Sequence, residues 1–377
     1  MTRQALRATP FHSRAAAANE CNAWITRNGF TLAARYSDAG EEALAARLRV
    51  AIADISWRWR ITLAGDAASE ALHRLFTRDA AALEPGQSLK ALWLNDNGAV
   101  RGAGLIARYG KHSFLLAATA EDAAWIAAAA AQASATMRDV SAESGGLAVI
   151  GPYAAAVLAR AGIDPALKPL AFRRVFWRGL DVTLSRWGEH NGYELWCKVE
   201  DGPLVWDRIV SAGAPYGILP AGVEAMDLLD VEGGVARPER DYDDARDREA
   251  KGPTPRSLGL ESLIADDHTG FTGRAGWLAN REQEKFTVAG LEIESDEPCT
   301  LGQVFADERV VGHVLASRYS SALRRAIALA QIERASAKPG TSAAVILAAT
   351  RQHPEFRAAP ARVATLPFLE APVLLPP

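Results

Sequence analysis

Residues 185–196 read SRWGEHNGYELW: an arginine and a tryptophan, a polar turn bounded by Gly188 and Gly192, then Tyr193 and Glu194 at the head of an apolar strand. Apolar runs on either side, at 171–185 and 193–199, predict strands joined through that turn. A glutamate fixed at the start of a strand can accept two parallel hydrogen bonds from one flat ligand. Its charge roughly doubles the strength of each bond relative to a neutral acceptor. Taken alone, the pattern describes more readily a hairpin whose Glu194 faces solvent. The flanking sequence changes that balance.

Upstream, residues 54–65 (DISWRWRITLAG) alternate with period two. Trp57, Trp59, Ile61 and Leu63 fall on one face of the expected strand, and Ser56, Arg58, Arg60 and Thr62 on the other. Gly65-Asp66 then opens a helix with Asp66 as its expected N-cap and Ala68, Leu72, Leu75 and Phe76 as its inner stripe. Strands are expected at 89–94 and 104–109 about the turn Asn95-Asp96-Asn97-Gly98, and again at 113–118. An alanine-rich helix capped by Thr119 and Asp122 follows. Downstream, Asp201 and Pro203 start a helix whose inner side is Val205, Trp206, Ile209 and Val210. Residues 236–257 are densely charged and proline-bearing, and read as an exposed excursion. From 284 onward, short apolar runs between turn residues (FTVAGLEI, TLGQVFA, RVVGHVLAS, IALAQIE, SAAVIL) predict a small all-β barrel.

Composition bounds the function. A chain of 377 residues is long for one core and predicts two or three domains. The formal charge of -3 leaves no basic footprint, so nucleic acid is not an expected partner. Cys21, Cys197 and Cys299 lie far apart without a CxxC pair, which suits a reducing cytoplasm and neither a disulfide framework nor a zinc ribbon. The N-terminus lacks the apolar stretch of a signal peptide, and AAWIAAAAAQA at 123–133 is too short to span a bilayer. A cytoplasmic protein without a membrane partner is expected, and no histidines stand at metal-ligand spacing. Asp266-Asp267-His268 reads as a polar turn, not a metal site.

Five segments together resemble the glycine-cleavage T-protein (aminomethyltransferase) family. They are TPFHSR at 9–14, ADISWRWRITLAGDAA at 53–68, LFTRDAAALEPGQSLKALWLNDNGAV at 75–100, SLGLESLI and GFTGRAGWL within 257–278, and RVVGHVLASRYSSALRRAIALAQI at 309–332. Residues 185–196 resemble the family's folate-pocket motif with a shortened loop. The resemblance implies an α+β, three-domain cloverleaf around a central channel that takes tetrahydrofolate, ending in a β-barrel. On that plan residues 1–52 plus 149–256 form a discontinuous first domain and 53–148 the second. Residues 281–377 form the barrel, with 236–280 as charged excursion and connection.

The same resemblance implies site residues. Glu194 would grip the pterin, with Tyr193 and Trp187 flanking it. Arg58, Lys90 and Arg101 would suit an anionic substrate, with Trp57 stacking on it. His190 and Arg101 are the catalytic candidates. Two departures narrow the reading. Ala225-Met226-Asp227 stands where the glycine-cleavage enzymes carry Ala-Arg-Asp, and the Ile-x-Pro-x-Gly run before it is similar to the demethylase branch. Gly102 and Ala103 stand where the family has paired aspartates, an electrostatic device worth several kcal/mol at a developing positive charge. The leading expectation is a tetrahydrofolate-dependent one-carbon transferase, a demethylase of a small carboxylated substrate, aromatic acids included. A cofactor-independent lyase or hydrolase, and a non-catalytic folate-binding accessory protein, are the alternatives.

Overall fold

Glu194 sits on the middle strands of a six-stranded sheet, and the rest of the fold is placed around that sheet. The computed structural model describes residues 6–118, 122–188, 190–238, 240–243, 245, 252–347, 355–372 and 374–375. In order, the sheet contains Phe172–Trp177, Leu180–Ser185, Tyr193–Lys198, Ser144–Ile150, Ala51–Asp54 and the short Leu219–Pro220. One face packs on the helices Ala154–Ala161 and Gly202–Gly213 through Leu147, Val149, Leu195, Trp206 and Ile209. The other face turns inward, toward the middle of the molecule.

A five-stranded sheet forms the second lobe: Ser88–Leu94, Val100–Gly110, Ser113–Ala118, Trp59–Ala64 and Thr136–Asp139. The helix Ala68–Leu75 covers it, with Ala68, Leu72, Leu75 and Phe76 buried as expected. A closed barrel of six strands, Phe286–Ile293 to Arg357–Ala364, completes the chain. Its small inward residues, Ala289, Ala326, Ala328 and Ala330 among them, let the barrel close around a narrow core. The α+β architecture and terminal barrel are those the sequence predicts.

Four local expectations change. The single strand expected over 54–65 is two strands in two different sheets, Ala51–Asp54 and Trp59–Ala64. A turn separates them, in which the Asp54 carboxylate accepts the Ser56 amide at 3.0 Å. Asp66 does not cap the next helix; Ala67 occupies that position without a side-chain bond. Asp122 does precede the alanine-rich helix, but its carboxylate accepts from Trp93 and Arg101 instead of the helix amides. Thr119, its expected capping partner, lies outside the described residues. His268 is buried, and its Nε2 faces the carbonyls of His73 and Phe76 at 3.0 Å each, closing the end of the Ala68–Leu75 helix.

Gly102 has a steric explanation. It pairs with Trp93 across the sheet, and a Cβ there would lie 2.2 Å from the indole ring. Trp93 is fully buried against Phe76 and cannot yield. The residue type at 102 is therefore dictated by Trp93, and a carboxylate has no room. Gly102→Ala is expected to lower unfolding stability by about 1–3 kcal/mol through overpacking, and Gly102→Asp by more. Urea unfolding of both variants checks this, and wild-type stability in either would contradict it.

Candidate active site

Backbone chemistry first brings Glu194 to its place. Asn191 has φ +51, which its short side chain tolerates. Gly192 lies so close to the neighbouring strand that a Cβ would stand 2.5 Å from the Val149 carbonyl oxygen. The chain can therefore press down and enter the Tyr193–Lys198 strand directly. Glu194 is then opposite Ser185 on one side and Ala148 on the other, and Ala148 is opposite Ala53. Three small residues beside a long one leave a recess on the inward face. The recess belongs to a cavity walled by Arg27, Trp57, Arg58, Ile150, Gly188, His190, Tyr193, Met226, Asp227, Asp230, Arg237 and Arg240.

Glu194 is 1% exposed. Its Oε1 accepts from Arg58 Nη1 at 2.6 Å and its Oε2 from Trp196 Nε1 at 3.1 Å. Each carboxylate oxygen carries two lone-pair directions, so one acceptor position remains on each. Gly188 leaves the approach open, since a Cβ there would lie in van der Waals contact with Oε1, at 3.6 Å. The Ser185 hydroxyl, across from Glu194 in register, and the Trp187 indole N–H are buried without a partner among the described residues. This donor and acceptor set fits a flat heterocycle bearing two parallel N–H groups, the requirement of a pterin.

A second charged layer closes the cavity. Asp227 accepts from Arg27 at 2.9 Å and from Arg240 at 2.7 Å. Asp230 accepts from Arg237 at 2.7 and 3.0 Å and from Arg240 at 2.9 Å, with His190 Nε2 at 3.2 Å. Asp241 takes two further bonds from Arg240. The exposed excursion expected at 236–257 is thus corrected at its start, because Arg237 and Arg240 are drawn inward by carboxylates on the helix Val223–Glu232. The sequence signal was present as the i, i+3 spacing of Asp227 and Asp230 on that helix, matched by the spacing of Arg237 and Arg240.

The other expected site residues divide. Trp57 is half-buried on the cavity wall, as is His190. Tyr193 contributes to the wall, but its ring packs into the opposite layer of the sheet, 5.6 Å from the Arg186 guanidinium. Trp187 is buried behind the cavity, edge-on to Phe172. Arg101 is not at the cavity; it is buried in a bidentate pair with Asp122, at 2.8 and 2.9 Å. Lys90 is half-buried opposite Leu105 and is likewise not among the wall residues. Arg58 is at the cavity, held by Glu194. Glu189 lies outside the described residues, among which no cluster of three or more metal-ligating side chains occurs.

Sequence reading missed Asp54 and Tyr36. Burial pushes the Asp54 carboxyl up from its ordinary range, partly offset by bonds from Ser56 and Thr9. Burial raises the Tyr36 phenol as well. Asp230 goes the other way: burial favours its neutral form, but Arg237, His190 and Arg240 outweigh that and hold it well below the carboxylate range. A depressed folded-state pKa stabilises the fold above the unfolded value, about 3.9, and the benefit is lost as pH falls through the folded value. Asp230→Asn should therefore cost about 3 kcal/mol at pH 7. Urea midpoints should show that gap narrowing below about pH 4; a gap independent of pH would contradict the assignment.

Comparison with known proteins identifies the family. Residues 11–252 match the family model for the GCVT N-terminal domain, and residues 287–370 match that for the glycine cleavage T-protein C-terminal barrel domain. An aminomethyltransferase of Geobacillus kaustophilus is 31% identical over 322 residues, covering 82% of this chain and 86% of its own. The gamma subunit of a heme-dependent oxidative N-demethylase from Ectopseudomonas mendocina is 28% identical over 328 residues, covering 83% of this chain and 85% of its own. The crystal structure of the glycine cleavage system aminomethyltransferase T from Bartonella henselae has the same fold, with a TM-score of 0.84 at 22% identity, covering 98% of this chain and all of that one. The chain belongs to the glycine-cleavage T-protein family, the aminomethyltransferases, enzymes that transfer one-carbon units with tetrahydrofolate.

Proposed function

We propose that the protein is a tetrahydrofolate-dependent demethylase of a small, methylated and carboxylated substrate, aromatic acids included. The observation that carries this reading is Glu194, a buried carboxylate with one acceptor position left on each oxygen and an open approach past Gly188. Tetrahydrofolate bound there would supply a nucleophilic ring nitrogen as acceptor of the one-carbon unit. The chain's own residues hold and orient. Glu194 takes the two pterin N–H donors, and Arg58 meets its charge.

Arg58 is needed as the counter-charge of the buried Glu194, so the proposal gives the substrate's carboxylate to another arginine. Arg27 has donors to spare: it reaches Asp227 through one nitrogen, and its Nε is buried without a partner among the described residues. Trp57 forms a flat wall nearby, and His190, oriented by Asp230, is the group proposed for proton transfer. Met226 removes the arginine of the glycine-cleavage enzymes, which supports a demethylase. So does the N-demethylase subunit among the relatives, whose name also supports work within a multi-subunit assembly. Free Cys21, Cys197 and Cys299 suit a cytoplasmic setting.

The test is calorimetry with tetrahydrofolate. Glu194→Gln keeps the shape but turns an amide donor toward a pterin N–H. A loss of about 2–4 kcal/mol, or roughly 30- to 1000-fold in Kd, is expected. Glu194→Ala should weaken binding to a similar degree. Equal affinity in all three proteins would remove Glu194 from the site. Wild-type turnover without folate binding would favour the second reading, a cofactor-independent lyase, which the indole filling the usual aspartate position supports.

A further inference from the structure

We infer that Trp196 is a positioning residue that fixes the orientation of the Glu194 carboxylate through its indole N–H. The inference rests on the reading of Glu194 as the pterin anchor. A carboxylate held at one oxygen can still turn about its last torsion, which has broad minima. Arg58 alone, bound to Oε1, leaves that rotation free. The second bond, from Trp196 Nε1 to Oε2, fixes the plane of the group and so the direction of its unused acceptor positions.

For this to work, Trp196 must itself be immobile, and the structure restrains it on several sides. It lies two residues beyond Glu194 on the same inward face of the strand and is 6% exposed. Across the sheet its partner is Gly146, where a Cβ would stand 2.5 Å from the indole. The ring therefore fills the space a side chain would take. The Arg60 guanidinium lies 4.0 Å from the indole centroid. Arg60 is in turn held by Ser144 Oγ at 2.6 Å and by the carbonyls of Ser144 and Ser141 at 3.1 and 3.3 Å. Burial lowers its pKa to about 10, so it remains a cation at neutral pH and the contact with the ring is a cation–π interaction.

Arg58 and Arg60 both come from the entry into the second lobe, whereas Glu194 and Trp196 belong to the first. One arginine meets the carboxylate, and the other meets the residue that aims it. The orientation of the anchor thus depends on how the second lobe docks, a requirement that the folate motif at 185–196 does not reveal by itself.

A double-mutant cycle separates positioning from packing. Tetrahydrofolate affinity is measured by calorimetry for wild type, Trp196→Phe, Glu194→Gln and the double variant. Trp196→Phe removes the N–H and should weaken binding about tenfold in the wild-type background. With Gln at 194 it should change affinity by no more than about twofold, since an effect transmitted through one side chain is not additive. Equal losses in both backgrounds would show that Trp196 only supports the fold, and would overturn the inference. A second readout covers a Phe variant that fails to fold. In protein labelled with nitrogen-15 at its tryptophans, Glu194→Gln alone should move one indole N–H resonance strongly. If no indole resonance responds, the inference is overturned whatever the folate affinity. If wild type binds no folate but the indole responds, the contact stands and the folate reading fails.

Discussion

A carboxylate placed in the middle of a protein is tolerated only if its charge and its hydrogen bonds are met. Glu194 is such a group, and much of the surrounding structure follows from meeting that requirement. Arg58 must come from the second lobe because the strands beside Glu194 carry Ser185 and Ala148, neither of which can supply a cation. The small residues that deny Glu194 a partner within its own sheet also create the recess in which a ligand can reach it. An anchor with spare acceptor positions and an arginine brought from elsewhere are therefore two consequences of one packing choice.

The helix Val223–Glu232 applies the same logic to the third lobe. Its inward carboxylates, Asp227 and Asp230, hold Arg27, Arg237 and Arg240 around the cavity. At its end Glu232 accepts from Arg47 at 2.5 Å and from the barrel residue Ser320 at 2.6 Å. Arg318 of the barrel approaches Asp227 at 3.6 Å. Buried ion pairs contribute little net stability, because desolvation offsets much of their attraction. Their directionality makes them better suited to specifying how the lobes fit than to strengthening the fold. Here the cavity wall and the contact between lobes use the same side chains.

How far the sequence reveals this differs from segment to segment. The barrel strands are legible because short apolar runs, such as FTVAGLEI at Phe286–Ile293, are separated by turn residues. The break between Asp54 and Trp59 is not, because period-two alternation passes through it unchanged, and only the strand pairing shows that the chain has left one sheet for another. Arg58 and Arg101 are indistinguishable in sequence: both are arginines on strand-like stretches near motif residues. Their partners decide their roles, Glu194 in one case and Asp122 in the other, and each partner lies on a different element. Charge density misled at Arg237 and Arg240, since a hydrophilic stretch is solvated only when no carboxylate inside calls for it. In sequence Trp196 is one more residue of an apolar strand; its role depends on Gly146 and Arg60, each from another strand.

The central claim is that Glu194 receives the pterin while Arg58 and Trp196 keep their places. A crystal structure of the protein with tetrahydrofolate tests it most directly. The account predicts the pterin amine and a ring N–H each within about 3 Å of a Glu194 oxygen, with Arg58 still on Oε1 and Trp196 still on Oε2. A pterin bound elsewhere in the cavity, or a Glu194 carboxylate turned away from it, would contradict the account.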